Sequence, residues 1–458
     1  MAVVGSGPAA FYTAESLFKT GVAGVRVDLF DRLPVPFGLV RGGVAPDHQK
    51  IKGVTKVYDR IAAQDGFRFF GNVRVGADLS VDELAARYHQ VVYAFGCESD
   101  QKLGVPGEEL NGVYAATDFV GWYNAHPDHR AHTFDLAGAR RVALVGNGNV
   151  AMDVARVLLA SPDELARTDI AEHALPTLRA SKVEEVVLLG RRGPAQAAFS
   201  PKEIEEISDL SGVDVVVSRE DAELDDLSAT WLKEHGARSQ HRNVQFLQMR
   251  AAAGEGAGPK RLRCRFLVAP SELLGEGGRL RGVRVQHMRL VEDDRGTPRP
   301  RPTGTTEDLD VDILFKAIGY RGEPVPGVPY DERKGIVPNR DGRVVAAPGG
   351  EVKVGHFAAG WCKRGPTGLI GTNSLDAKET VAAMHEDFAA GTHLTPPAAG
   401  EDVAALLREK GVDAVTWQDW ERLDAWERAE GERRGKLRHK LASVDELMRV
   451  VRELRAPA

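Results

Sequence analysis

Two stretches of the chain share one pattern: "AVVGSGPAAFYTAESLF" at residues 2–18 and "RVALVGNGNVAMDVARVLL" at residues 141–159. In each, a short apolar run meets G-x-G-x-x-A and passes straight into apolar residues at helical spacing. The first glycine (Gly5, Gly146) permits the tight turn between strand and helix. The second (Gly7, Gly148) lets a pyrophosphate approach the backbone, and Ala10 and Ala151 keep helix and strand close. The N-terminus of the helix then faces the phosphates. Phe11, Ala14, Leu17 and Phe18 form the apolar stripe of the first helix, with Gly21 as its stop. Val150, Val154, Val157 and Leu158 form that of the second. Strand–turn–helix units of this kind need parallel sheets covered by helices. A chain holding two of them is expected to be α/β, with two Rossmann-like dinucleotide-binding domains.

The two units differ in the residue that ends their second strand. In the first unit that strand, "VRVDLFD", ends in Asp31, where an acid meets free ribose hydroxyls. In the second unit it is "VEEVVLLGRRGP" and ends in Arg191 and Arg192. An acid repels a 2′-phosphate, whereas two guanidinium groups clamp it with charge-assisted bonds. The first site is therefore expected to hold FAD and the second NADPH. A charged stretch at 161–182 lengthens the path to the arginines.

"VVYAFG" (91–96) and "ILFKAIG" (313–319) close the two halves with the same kind of strand and mark where the chain crosses between domains. The NADP domain, 100–319, is then inserted in an FAD domain made of 1–99 and 320–458, with a helical extension at about 400–458. "RLRCRFLV" and "GVRVQHMRL" read as solvent-faced hairpins, and "DDRGTPRPRPTGTTED" as a surface loop. In the tail, Trp417, Trp420, Leu423 and Trp426 recur at helical spacing, which points to packing. Acidic and basic residues nearly balance, 66 against 60, for a net charge of −6. That argues against nucleic-acid binding. No apolar run reaches the roughly 18 residues of a membrane span. No secretion signal is expected from the opening residues, and a strand starting at residue 2 leads us to expect a natural start a few residues upstream. The three cysteines, Cys97, Cys264 and Cys362, are far apart and form no CxxC pair. A cytoplasmic setting is expected.

The motifs "GSGPAAF", "PFGLVRGGVAPDH", "FRFFGNV", "DFVGWYNAHP", "GNGNVAMDVAR", "GRRGPAQAAF" and "GWCKRGPTGLIGTN" occur in this order across essentially the whole chain. In them the chain resembles the adrenodoxin-reductase type of ferredoxin–NADP reductase, closely so its actinobacterial members. The resemblance implies FAD contacts at Ala9, Asp31, Leu39 and Val75, with Trp361, Gly368, Leu369 and Ile370 beside the isoalloxazine. It implies NADP contacts at Asn147, Gly148, Asn149, Val150, Arg191, Arg192 and Glu203, Gly368 being shared with the nicotinamide end. His48 and Glu206 match a pair that assists near the nicotinamide. Two positions depart from the family: Gln101 stands where relatives place an Arg, and Asp31 where Glu is usual.

Hydride transfer from NADPH to a flavin needs no protein nucleophile. The expected activity is transfer of hydride to FAD and then of single electrons to a small acidic ferredoxin. The alternatives are an electron-transfer subunit of a glutamate-synthase-like complex and a non-catalytic NADPH-sensing flavoprotein. The former normally carries cysteine-rich iron–sulfur segments, which three scattered cysteines do not build. Docking an acidic partner requires a basic face. Arg41, Lys50, Lys52 and Lys56 are candidates near the flavin, and Arg433, Arg434, Lys436, Arg438 and Lys440 in the tail.

Overall fold

Ala2–Val4 is a three-residue strand, entirely buried, and its brevity is offset by parallel partners on both sides, Val27–Phe30 and Val91–Tyr93. It sits inside a seven-stranded sheet in the order 339–340, 343–345, 352–358, 91–93, 2–4, 27–30 and 67–70. The last five strands of that order are parallel, and two antiparallel strands finish one edge. Side chains alternate between the faces, as strand geometry requires. Val3, Leu29, Phe69, Val92 and Phe357 enter one core, while Ala2, Val4, Phe30, Phe70 and Tyr93 enter the other.

In the computed structural model, which describes residues 1–398 and 401–456, this sheet belongs to the first of two units. That unit comprises Met1–Ser99, Asn124–Arg130 and Tyr320–Ala458. The second comprises Asp100–Tyr123 and Ala131–Gly319 and is built on a six-stranded sheet, every pair of it parallel. Its order is 113–115, 313–316, 141–145, 185–190, 260–266 and 213–217. In each sheet the first strand of the glycine pattern is flanked by the strand that comes after its helix and by the closing strand, Val91–Tyr93 or Ile313–Lys316.

Three local expectations are corrected. Asn124–Arg130 lies in the first unit, not with the residues on either side of it. Its ties explain why: the buried Lys440 ammonium donates to the Asn124 carbonyl oxygen at 3.2 Å, and Arg32 pairs with Asp128 at 2.5 Å. "RLRCRFLV" is not a hairpin arm. Its residues 261–266 belong to an internal parallel strand, Lys260–Phe266, with Leu262, Cys264 and Phe266 buried while Arg263 and Arg265 pair with Glu185 and Glu307. "DDRGTPRPRPTGTTED" is largely a strand, Pro298–Asp310, on the edge of the antiparallel sheet formed with 268–276 and 279–292. Its three prolines fit there because an edge strand leaves one row of N–H positions unbonded.

Candidate functional site

The two glycine turns are built alike. Gly5 has φ +112° and Gly146 φ +116°, a region that L side chains rarely adopt. A Cβ on Gly5 would lie 2.5 Å from the Ala94 carbonyl oxygen, and one on Gly146 2.3 Å from that of Ala317. Each turn is thus pressed against the closing strand of its own sheet. Gly7 and Gly148 are the reverse case: a Cβ on either would meet nothing within 4 Å. Both are also the N-caps of the helices Pro8–Phe18 and Asn149–Leu159, and neither helix has a side-chain cap bond. The first N–H groups of each helix are left for an outside acceptor. Open backbone plus uncapped donors fit a dinucleotide pyrophosphate at both turns. Ala10 and Ala151 are fully buried beneath them.

At the end of the second strand the sites part. The Asp31 carboxylate accepts Ser6 Oγ at 2.5 Å and Leu33 N at 2.9 Å. Burial pushes its carboxyl above the ordinary range, against the pull of those two donors. Ser6, the residue between the two glycines, therefore ties the acid to the turn. In the second unit Arg191 is exposed and Arg192 half-buried. Neither guanidinium has a hydrogen bond or ion pair among the described residues, and Arg192 Nε is buried without a partner. Burial, Arg191 and the nearby Arg299 all push the Arg192 pKa down. Two adjacent guanidinium groups without a counter-charge fit a phosphate.

Around the second turn, Asn147 O accepts Ala198 N at 3.1 Å and Asn149 Oδ1 accepts Ser200 N at 2.8 Å, which bind the turn to the loop beyond the arginines. Val150 is half-buried in the first turn of the helix. Glu203 is buried, and its carboxylate takes Arg156 Nη1 at 2.9 Å, while Glu206 pairs with Lys202 at 2.8 Å. Arg156 is itself only 2 % exposed and also holds Asp153 at 2.7 Å.

In the first unit, Ala9 faces Gly360 so closely that a Cβ on Gly360 would lie 2.4 Å from the Ala9 methyl. That contact brings the segment 360–373 against the first turn. Trp361 donates its indole N–H to Thr367 O at 3.2 Å and packs 5.3 Å from Tyr320. Gly368 is held at φ +80°, Leu369 is 68 % exposed, and Ile370 is half-buried. Val75 is buried, Leu39 opens the short helix Leu39–Gly42, and His48 is buried at the head of the helix Gln49–Lys52. His48 and Glu206 belong to different units.

Asp376 escaped the sequence reading. It is buried on the helix Thr372–Ala389, where its Oδ2 accepts Gly360 N at 2.5 Å. Its carboxylate also pairs with Lys363 at 3.1 Å and Arg364 at 3.2 Å. One side chain therefore sets the turn, φ +75° at Gly360, that presents Trp361. The signal was available: Asn373, Asp376 and Thr380, at i, i+3 and i+7, make a polar stripe on the buried face of a helix.

The proposed docking charges need correction. Lys52, Lys436 and Lys440 are 8, 7 and 3 % exposed, and the Arg41 side chain, 10 % exposed, is paired with Glu427. Buried or paired in this way, these four do not present charge to a partner. Lys50, Lys56, Arg433 and Arg434 are exposed, the last two beside Glu430.

Residues 1–226 match the pyridine nucleotide-disulphide oxidoreductase family. Over 459 aligned residues the chain is 44 % identical to the NADPH-ferredoxin reductase FprA of Mycobacterium tuberculosis, covering 98 % of each. It is 42 % identical to the mitochondrial NADPH:adrenodoxin oxidoreductase of Bos taurus, covering 98 % of this chain and 91 % of that one. Its structure matches that of Mycobacterium tuberculosis FprA in complex with NADPH with a TM-score of 0.91 and 42 % identity, over 98 % of both. With two glycine turns that differ in their charge partners and full-length similarity of this degree, the chain belongs to the adrenodoxin-reductase type of ferredoxin–NADP reductases.

Proposed function

We propose that this protein is an NADPH-dependent flavoprotein that reduces a ferredoxin-type iron–sulfur partner, with FAD at the first glycine turn and NADPH at the second. The observation that carries the assignment is the contrast between Asp31, tied to Ser6, and the unpaired Arg191 and Arg192. Bound NADPH and FAD supply the hydride donor, its acceptor and the release of electrons one at a time. The chain supplies position. Gly7 and Gly148 admit the two pyrophosphates, and Asp31 receives the FAD ribose. Arg191 and Arg192 take the 2′-phosphate, while Asn147, Asn149 and Val150 line the NADP turn. Glu203 acts through Arg156, which it fixes beneath that site. Gly360, held by Asp376, presents Trp361, and Gly368, Leu369 and Ile370 complete the flavin edge. His48 and Glu206 assist near the nicotinamide.

Burial pushes the thiols of Cys97, Cys264 and Cys362 up to about 12. They stay protonated, which speaks against dithiol chemistry. No helix among the described residues is long and apolar enough to cross a membrane. The test is NADPH oxidation by the purified yellow protein with and without small acidic ferredoxins, read through reduction of cytochrome c. Turnover that depends on ferredoxin is expected. Flavin bleached by NADPH but reoxidised no faster with any ferredoxin would point to the sensing role instead.

A further inference from the structure

Glu427 has no exposed surface. It sits on the tail helix Trp417–Arg433, whose Trp420 and Leu423 already account for an apolar face. An isolated carboxylate in that place would be costly. Its oxygens are met by Arg41, with Nη1 2.8 Å from Oε2 and Nη2 2.6 Å from Oε1, and by Arg438 Nη1 at 2.8 Å. Leu441 N adds a bond of 3.1 Å to Oε1. Arg438 also reaches Asp424 at 2.5 Å. Burial alone would raise the Glu427 carboxyl, yet Arg41 and Arg438 overcome it and hold the group at about 2. The Arg41 guanidinium lies 5.5 Å over the Trp420 ring, and the Arg41 carbonyl oxygen accepts Lys440 Nζ at 3.1 Å. Side chain and backbone of Arg41 are thus both gripped by the tail.

Arg41 is the third residue of the short helix Leu39–Gly42, and the chain just before it touches the first glycine turn. Phe37 N donates to Ser6 O at 2.9 Å. A Cβ on Gly38, whose φ is +48°, would lie 3.1 Å from Gly7 Cα. The Phe37 ring meets Trp420 edge-on at 5.5 Å. The loop over the open backbone of Gly7 therefore takes its position from residues nearly four hundred positions further along the chain.

We propose that Glu427 and Arg41 are positioning residues for the flavin nucleotide: the tail segment 417–441 straps the Phe37–Gly43 loop over the first glycine turn and sets how fast FAD leaves. This rests on FAD occupying that turn. A buried ion pair suits such a tie, because removing either partner unties the loop, and removing Glu427 also strands the Arg41 guanidinium.

The test tracks release of FAD from diluted holoprotein by the rise in flavin fluorescence, in the unmodified protein and in Arg41→Gln, Glu427→Gln and Arg41→Lys. Release should quicken about tenfold or more in the first two, given the cost of breaking a buried pair. The KM for NADPH should stay within about twofold, since the second site is built in the other unit. Arg41→Lys, which keeps a charge for Glu427 but loses the two-point fork, should recover only part of the slow release. If Glu427→Gln does not fold, Arg41→Gln carries the test alone, because it leaves Glu427 paired with Arg438. Release at the unmodified rate in Arg41→Gln overturns the inference. So does a KM that rises in step with release, the mark of general loosening. An unmodified protein that binds no FAD overturns the proposed function, and this inference with it.

Discussion

The first and second glycine turns share every feature that makes a turn and none that chooses its ligand. Gly5 N donates to Phe30 O at 2.7 Å and Gly146 N to Leu189 O at 3.0 Å, so each turn is pinned to the strand after its helix. Ala94 N donates to Val4 O and Ala317 N to Val145 O, both at 2.8 Å, so each is also pinned to the closing strand. Beyond this the regions diverge. The first turn is covered by its own loop at Gly38 and bonded through Ser6 to an acid. The second is tied to the loop at 198–200 and ends beside two guanidinium groups without partners. The turn itself encodes only a place for a pyrophosphate. In the proposed function, the charge one strand further on chooses which nucleotide arrives.

The harshest way to break this comparison is to fill the tight position. Gly5→Ala and Gly146→Ala each put a methyl into a strained backbone region and within 2.5 Å of a carbonyl oxygen. Strain of about 1–3 kcal/mol joins a clash with backbone that cannot move aside. Against a typical total of about 5–15 kcal/mol, each variant should lose much of its folded population in urea titrations. Tolerance at one turn but not the other would show that they are not equivalent after all.

The open position makes a finer division. A Cβ added at Gly7 or Gly148 meets nothing within 4 Å, so Gly7→Val and Gly148→Val should both fold, and each should lose one ligand only. Gly7→Val should purify without flavin. Gly148→Val should stay yellow but show no saturable reduction by NADPH. If either variant lost both ligands, the assignment of one nucleotide to each turn would fall.

What could be read in the sequence was whatever lies close along the chain. Gly5, Gly7 and Ala10 fall within six residues, and Asp31 or Arg191 comes one strand after its turn, so spacing alone locates them. The strand 260–266 departs from the hairpin expected of it because its alternating arginines look solvated in the sequence. Their charges are met instead by acids on other segments, Glu185 and Glu307 among them. Asp376 was hidden for a similar reason: it reaches Gly360, sixteen positions away, from the second turn of a helix. Arg41 and Lys440 looked like free surface charge because Glu427 and Asn124, which bury them, lie 386 and 316 positions off. Asn124–Arg130 joins the first unit through partners likewise remote in sequence, Lys440 and Arg32.

The most direct measurement is the ratio of kcat/KM for NADPH to that for NADH, in the unmodified protein and in the double variant Arg191→Ala, Arg192→Ala. Charge-assisted bonds to a phosphate contribute about 1.5–3 kcal/mol each, so NADPH should lose about a hundredfold or more. NADH, which carries no 2′-phosphate, should change by no more than about twofold, and the two coenzymes should end nearly equal. An equal loss with both coenzymes would mean that the arginine pair holds the fold and does not read the nucleotide, and the distinction between the two turns would have to rest elsewhere.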